Sequence, residues 1–411
     1  MMDSLRGVMT PEQELELISV VAFIKNQDEA AFTKLMNVGQ SGLLEVFLQT
    51  VAELSKDFPD CLGNMNLQIE PVTLKQVLEQ ISHFDSLEGF SDAYRTIARE
   101  RFGIRGGENI SNENESQLIK ALLGNVTDKT LYDGVAGLAS TTSALEVKQR
   151  YLQDINQQTA QVAARLLTIE GKDFEYQIGN SLEKPLTKPE SFDLAVMTPP
   201  MGMRLSAVNE IQKQSYLFPE LKAKIPTSGA DSLWLQLALH SLNATGKAFL
   251  TLATGCLFRG GYDAKVREYL IEHELIDTII LLPQGYFSHT GISGAMFILR
   301  KDKPKGTPIK LIDASEMGLK ARRGVELQSS EIQLVADLYH GKIEAHKCLK
   351  SVLLSEIRSN GYDLGFGRYF IKELAQIAIN PTAELSKLAE LTQKHQQSQQ
   401  KLNELLSKFD V

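Results

Sequence analysis

The chain has 411 residues, 43% of them hydrophobic and 23% charged, with a formal net charge of −8. That length exceeds what one simple core supports, so two or three domains are expected, and the acidic balance argues against a stand-alone nucleic-acid binder working by bulk electrostatics, because phosphate neutralisation needs clustered Lys and Arg. No apolar run approaches the roughly 20 residues of a membrane span, and the isolated cysteines Cys61, Cys256 and Cys348 read as reduced thiols of a cytoplasmic protein rather than as a disulfide frame or a zinc site.

In chain order, "PEQELELISVVAFI", "SGLLEVFLQTVAEL", "TLKQVLEQISHF" and "SDAYRTIARERFG" carry apolar residues at three- and four-residue spacing, which predicts helices. Pro59, Pro71 and the Gly106-Gly107 pair are expected to break them. From about residue 115 the pattern alternates. Strands are predicted at "TLYDGV", "YQIGN", "FDLAVM", "AFLTLA", "DTIILL", "GAMFILR" and "IKLIDA", with helices such as "DINQQTAQVAARLLTIEG" and "DSLWLQLALHSLN" between them. Such alternation predicts an α/β fold with a doubly wound sheet, whose ligands gather at the carboxyl ends of the strands. In the tail, Leu385, Leu388, Thr392, His395, Gln399, Leu402, Leu406 and Phe409 keep a heptad spacing. A helix seated on another subunit and a helix folded back on its own domain are both open readings. The expected division is a helical N-terminal domain over 1–105, an α/β domain over 106–345, and a C-terminal segment over 346–411 ending in the heptad helix.

Residues with chemical potential lie at the predicted strand ends. "LYDGVAGLAS" is a strand and a small-residue turn, where Gly134, Ala136, Gly137 and Ala139 let a backbone approach a ligand. A tight strand-to-helix connection would look the same. Asp154, about 20 residues beyond, stands where a carboxylate can bind ribose hydroxyls. Asn180 ends a third strand and is able to pair with an adenine edge. "FDLAVMTPPMG" then halts a buried strand with two prolines, which make a stiff segment outside both helix and ladder. Two basic runs, Arg300-Lys301-Lys303-Lys305 and Lys320-Arg322-Arg323, could touch nucleic acid or be a solvated surface. Trp234 is expected to anchor its helix in the core, and His289 reads as a surface or packing histidine beside a candidate loop.

In this order the motifs resemble those of S-adenosylmethionine-dependent N6-adenine DNA methyltransferases, above all the modification subunits of type I restriction–modification systems. The stretches "GADSLWLQLALHSL", "GKAFLTLATGCLFRGGYDAKVREYLIEHELIDTIILLPQGYFSHTGISGAMFILRK", "IKLIDAS" and "NGYDLGFGRYF" look like the family's core and the segment before its C-terminal helices. The resemblance implies a Rossmann-like methyltransferase domain. It implies S-adenosylmethionine held by Ser111, Asp133, Ala136, Gly137, Asp154 and Asn180, and an adenine flipped from double-stranded DNA onto Thr198, Pro199, Pro200 and Met201. It also implies a specificity subunit as partner, with a second modification subunit or a nuclease subunit as further candidates, no membrane and no metal.

Several positions depart from the family pattern. Thr198 and Met201 replace an Asn or Asp and an aromatic, Leu138 and Ala139 replace Ser and Gly, and "GENISN" lacks the family's aromatics and proline. A lost base stack is worth about 1–3 kcal/mol, and a lost, well-placed hydrogen-bonding group about 10²–10³ in rate. The implied function is therefore a site-specific adenine methyltransferase, and the alternative is a degenerate scaffold of the same fold that binds DNA or a partner.

Overall fold

The computed structural model describes residues 9–63, 69–102, 113–186, 190–221, 223–228, 231–287, 292–321, 324–370 and 381–407. The chain divides into two compact units, Met1–Phe366 and Gly367–Val411.

The helices of the N-terminal region are α1 (Pro11–Gln27), α2 (Glu29–Asn37), α3 (Gln40–Asp57), α4 (Pro59–Leu62), α5 (Pro71–Ser82) and α6 (Phe90–Phe102). Thr10 opens α1 with a capping box: its Oγ1 accepts from Gln13 N at 3.3 Å, and Gln13 Oε1 accepts from Thr10 N at 3.0 Å. Helices are interrupted at Pro59 and Pro71 as expected, and each proline begins the next one. The first helical N–H has no intrahelical partner, so proline loses nothing there. Phe23, Ile24, Phe47, Leu74 and Val77 build one core, with Phe23 and Phe58 edge to face at 5.3 Å.

The remaining elements of the first unit are α7 (Glu113–Leu123), β1 (Thr130–Asp133), α8 (Ser140–Ser143), β2 (Gln149–Asp154), α9 (Gln157–Ile169), β3 (Phe174–Ile178), β4 (Phe192–Met197), α10 (Val208–Ile211), α11 (Ser232–Ser241), β5 (Leu242–Ala253), α12 (Tyr262–Glu272), β6 (Ile276–Leu281), β7 (Gly294–Arg300), β8 (Ile309–Asp313), β9 (Leu319–Ala321), β10 (Gly324–Glu326), α13 (Ser329–Tyr339), β11 (Leu349–Val352) and α14 (Leu354–Ser359). Nine strands form one sheet in the order β11-β8-β6-β7-β5-β4-β1-β2-β3. Strands β3, β2, β1, β4 and β5 run parallel, whereas β7 is antiparallel to both β5 and β6. This is the doubly wound, Rossmann-like α/β fold predicted. Strands β2, β9, β10 and β11 were not among the seven predicted. β9 and β10 pair only with each other, and β11 adds an antiparallel edge to β8.

Leu131, Leu152, Leu194, Val196 and Phe249 form a core with Leu118 and Leu122 of α7, Leu167 of α9 and Val335 of α13. From the other face α11 packs on β4 and β5. Helix α9 serves two cores, since Ala163 and Leu167 face the sheet while Val162 and Leu166 join the helical cluster. That double burial fixes the N-terminal helices against the sheet. Because β1, β2 and β4 are parallel neighbours, Asp133, Asp154 and Met197 all end on one rim.

In the second unit α15 spans Pro381–Leu406. Its seam residues Leu385, Leu388, Leu402 and Leu406 are exposed, and Phe409 lies outside the described residues.

Arg165 of α9 is fully buried, donates to the Cys61 carbonyl at 2.8 Å and lies 3.6 Å from Glu16. Arg165→Ala removes one partner of a buried ion pair and is expected to lower unfolding free energy by about 3–5 kcal/mol in urea denaturation. A loss under about 1 kcal/mol would contradict this role.

Candidate active site

The rim begins with Asp133, which is 5% exposed and accepts from Val135 N at 3.0 Å. Burial pushes its carboxyl up from 3.8 to about 8 despite that bond, with the nearby carboxylates of Asp154 and Glu115 adding to the rise. The following turn needs special backbone. Gly137 has φ +52° and Ala139 φ +54°. A Cβ on Gly137 would meet nothing, so conformation, not crowding, favours glycine there. At Gly134 the reverse holds, because a Cβ would lie 2.9 Å from the Tyr132 hydroxyl.

Strand β2 clamps this turn. Ala136 N donates to Gln153 O at 3.0 Å, and Gly137 N donates to Asp154 Oδ2 at 2.9 Å. Tyr176 Oη donates to Gly137 O at 2.8 Å, and Ser181 Oγ to Gly134 O at 2.5 Å. Asp154 Oδ1 also accepts from Asn156 N at 2.9 Å, while the Asn156 side chain caps α9 by accepting from Thr159 N at 3.1 Å. Asn180, offered by the sequence to an adenine edge, already holds its own turn. Its Oδ1 accepts from Leu182 N at 3.1 Å and its Nδ2 donates to Glu183 at 2.6 Å.

After β4, Thr198 Oγ1 donates to Glu115 Oε1 at 2.9 Å. Asp133, Ala136, Gly137, Asp154 and Asn180 line one cavity of about 270 Å³. Thr198 and Pro200 line the same cavity, so the two halves of the predicted constellation meet. Pro199 is buried and Met201 half-buried, and neither lines it; Met203 stands there instead, beyond the left-handed Gly202 at φ +69°. Ser111 and His289 lie outside the described residues. Leu138 belongs to the helical core cluster and also lines the cleft.

Ile155, Trp234, Ser140 and Thr141 complete the wall. Ile155 is 70% exposed, an apolar platform beside Asp154, and Trp234 is 3% exposed, both core anchor and wall. The buried hydroxyls of Ser140 and Thr141 have no hydrogen-bond partner among the described residues. Carboxyl groups, unpartnered hydroxyls and an apolar plate suit a ligand with a positive centre, polar arms and a flat ring, as in S-adenosylmethionine. Of these residues, Ile155 could have been suspected from an apolar residue set between Asp154 and Asn156. Glu115 also left a trace, a carboxylate three and four residues before Leu118 and Ile119 on a buried stripe.

The basic run is engaged internally. Arg300 pairs with Asp302 at 2.9 Å, Lys301 Nζ donates to Leu242 O at 2.6 Å, and Lys303 Nζ donates to Ile276 O at 2.8 Å while 7% exposed. Arg322 and Arg323 lie outside the described residues. Asp231, Cys256 and Asp263 cluster closely enough for a metal, but Arg259 sits 3.0 Å from Asp231 and 2.8 Å from Asp263 and supplies the cation there. Among the described residues no helix is long and apolar enough to cross a membrane.

The raised Asp133 value has a sign that can be measured. The folded chain binds this proton more tightly than the unfolded one, so its contribution to stability is complete below about 4 and is lost as pH rises through about 8. Thermal melts of Asp133→Asn should therefore fall less than those of the unaltered protein between pH 5 and pH 8.5. Parallel curves would contradict the burial of this carboxyl.

The N-6 DNA Methylase family model matches residues 88–376. The chain is similar to the Type I restriction enzyme MpnII methylase subunit of Mycoplasma pneumoniae, 24% identical with 84% of this chain and 70% of that one covered. It is also similar to the MjaVII methylase subunit of Methanocaldococcus jannaschii, 30% identical over 60% of this chain and 45% of that one, so it spans less than half of this second relative. The crystal structure of a type I restriction-modification system methyltransferase subunit from Streptococcus thermophilus shares the fold, with a TM-score of 0.73 at 23% identity over 82% of this chain and 79% of that chain. With the family match running from α6 through the sheet and beyond it, the chain belongs to the N-6 DNA methylase family.

Proposed function

We propose that this protein methylates the exocyclic N6 of a target adenine in double-stranded DNA, using S-adenosylmethionine, as the modification subunit of a type I restriction–modification assembly. One observation carries the reading. The small-residue turn with its two strand-end carboxylates and the Thr198-Pro199-Pro200 segment share a single cleft at the rim of a methyltransferase-type sheet.

The cofactor would supply an electrophilic methyl carbon on a cationic sulfur. The Asp154 carboxylate favours that cation. Asp154 would meet ribose hydroxyls through lone pairs not taken by Gly137 and Asn156. Ile155 offers a face for the adenine moiety, and Ser140 and Thr141 offer hydroxyls to the polar arm. The target amine is a weak nucleophile because its lone pair is delocalised into the ring. Acceptors for its two hydrogens favour a pyramidal nitrogen, and the Pro-Pro segment fixes the direction of one main-chain acceptor before the base arrives. Thr198 Oγ1 supplies the other. Met203 and Trp234 wall the space where an aromatic from position 201 was expected.

The clamped cofactor turn supports an enzyme over a degenerate scaffold, since nothing in scaffolding requires a left-handed Ala139 or open hydroxyls in a cleft. The exposed leucines of α15 fit a specificity subunit that chooses the DNA sequence, and cytoplasmic DNA is the natural substrate of such an assembly. Isothermal titration tests the reading. S-adenosylmethionine should bind the purified chain, and Asp154→Ala, which frees the turn and removes the ribose acceptor, should weaken binding at least about tenfold. Absence of heat at millimolar cofactor would overturn the proposal.

A further inference from the structure

On the reading just given, the structure assigns Glu115 as a positioning residue that turns the Thr198 hydroxyl into a hydrogen-bond acceptor for the target amine. A threonine hydroxyl has one proton and two lone pairs. An Asn at this place would present an oxygen that can only accept, whereas a free hydroxyl can rotate and present its proton, which repels an amine N–H. Here that proton is committed. Thr198 Oγ1 donates it to Glu115 Oε1 at 2.9 Å. The lone pairs of Thr198 are thus the groups left for the cleft that it lines.

Helix geometry supports the assignment. Glu115, Leu118, Ile119 and Leu122 share one stripe of α7, at i, i+3, i+4 and i+7. The three apolar members are buried in the sheet core, and Glu115 is buried with them at 0% exposure. A carboxylate in such a stripe is costly and is retained only with specific partners. The groups facing it from other elements include Thr198, Asp133 and Tyr286. The 2.9 Å bond directs Glu115 at the Thr198 hydroxyl, and the pair does together what a single amide does alone.

The test is a double-mutant cycle on the chain assembled with its specificity subunit, with unmethylated plasmid DNA and S-adenosylmethionine. Glu115→Met places an apolar side chain in an apolar stripe and should melt at or above the unaltered protein. Its kcat should fall about 10²-fold, as should that of Thr198→Val, with cofactor KM changed less than about twofold, and the double variant should lose no more than either single one. Glu115→Gln, which can accept but also donate, should lose less. Additive losses, or a normal rate in Glu115→Met, would overturn the inference; should the Met variant fail to fold, a normal rate in Glu115→Gln overturns it. If the unaltered assembly moves no methyl to adenine, the functional reading itself fails and takes this inference with it, an outcome distinct from a normal rate in the variants.

Discussion

One hydrogen bond organises the rim: the Gly137 N–H donated to the Asp154 carboxylate at 2.9 Å. It ties the turn after β1 to the end of β2, and the second oxygen of the same carboxylate holds Asn156, which caps α9. Two positive-φ residues, Gly137 and Ala139, persist because this clamp and the Tyr176 and Ser181 bonds over-determine the turn. Ala139 costs about 1–2 kcal/mol in that conformation, where a glycine would cost little. The expense is tolerable because α9 is itself held between two cores. The turn after β1, the sheet and the N-terminal helices are thus one mechanical unit.

The second half of the site depends on stiffness rather than clamping. Strand β4 is buried on both faces and delivers Thr198 to the rim, where Pro199 is buried and Pro200 faces the cleft. Rigid carbonyls and a committed hydroxyl are preorganised acceptors, which cost no reorganisation when a base enters. The same region gathers carboxyl groups, with Asp154 and Glu115 close enough to add to the rise that burial gives Asp133. A carboxylate there is unfavourable for a phosphate and favourable for a cation, which would separate a cofactor cleft from a DNA-backbone surface. Neither surface is marked by bulk charge, since the Arg300–Lys305 run is taken up by internal partners.

Much of this was legible from periodicity. All seven strands predicted as runs of apolar residues, and the helices between them, take their places because short covered strands and amphipathic helices announce themselves by period. The breaks at Pro59 and Pro71 were legible, but not that each proline opens the next helix, because proline at a first helical position and proline after a helix look alike without the flanking geometry. β9 and β10, at three residues each, are too short for any period to show. At the site, the strand-end residues Asp133, Asp154, Asn180 and Thr198 were legible because a doubly wound sheet sends its parallel strand ends to one rim. Met203 replacing Met201 was not, since it depends on the left-handed turn at Gly202. Glu115 shows locally only as a carboxylate on an apolar stripe, and its partner, 83 residues away, leaves no local pattern.

The transferred methyl group itself reports on the chemistry most directly. The chain, together with the specificity subunit proposed for it, would be given methyl-labelled S-adenosylmethionine and unmethylated plasmid DNA, and the DNA then digested to nucleosides. Label in N6-methyldeoxyadenosine is the result expected from a cleft that joins the Asp133–Asp154 cradle to the Thr198-Pro199-Pro200 segment. Label in a methylated cytosine, or in protein, would contradict it.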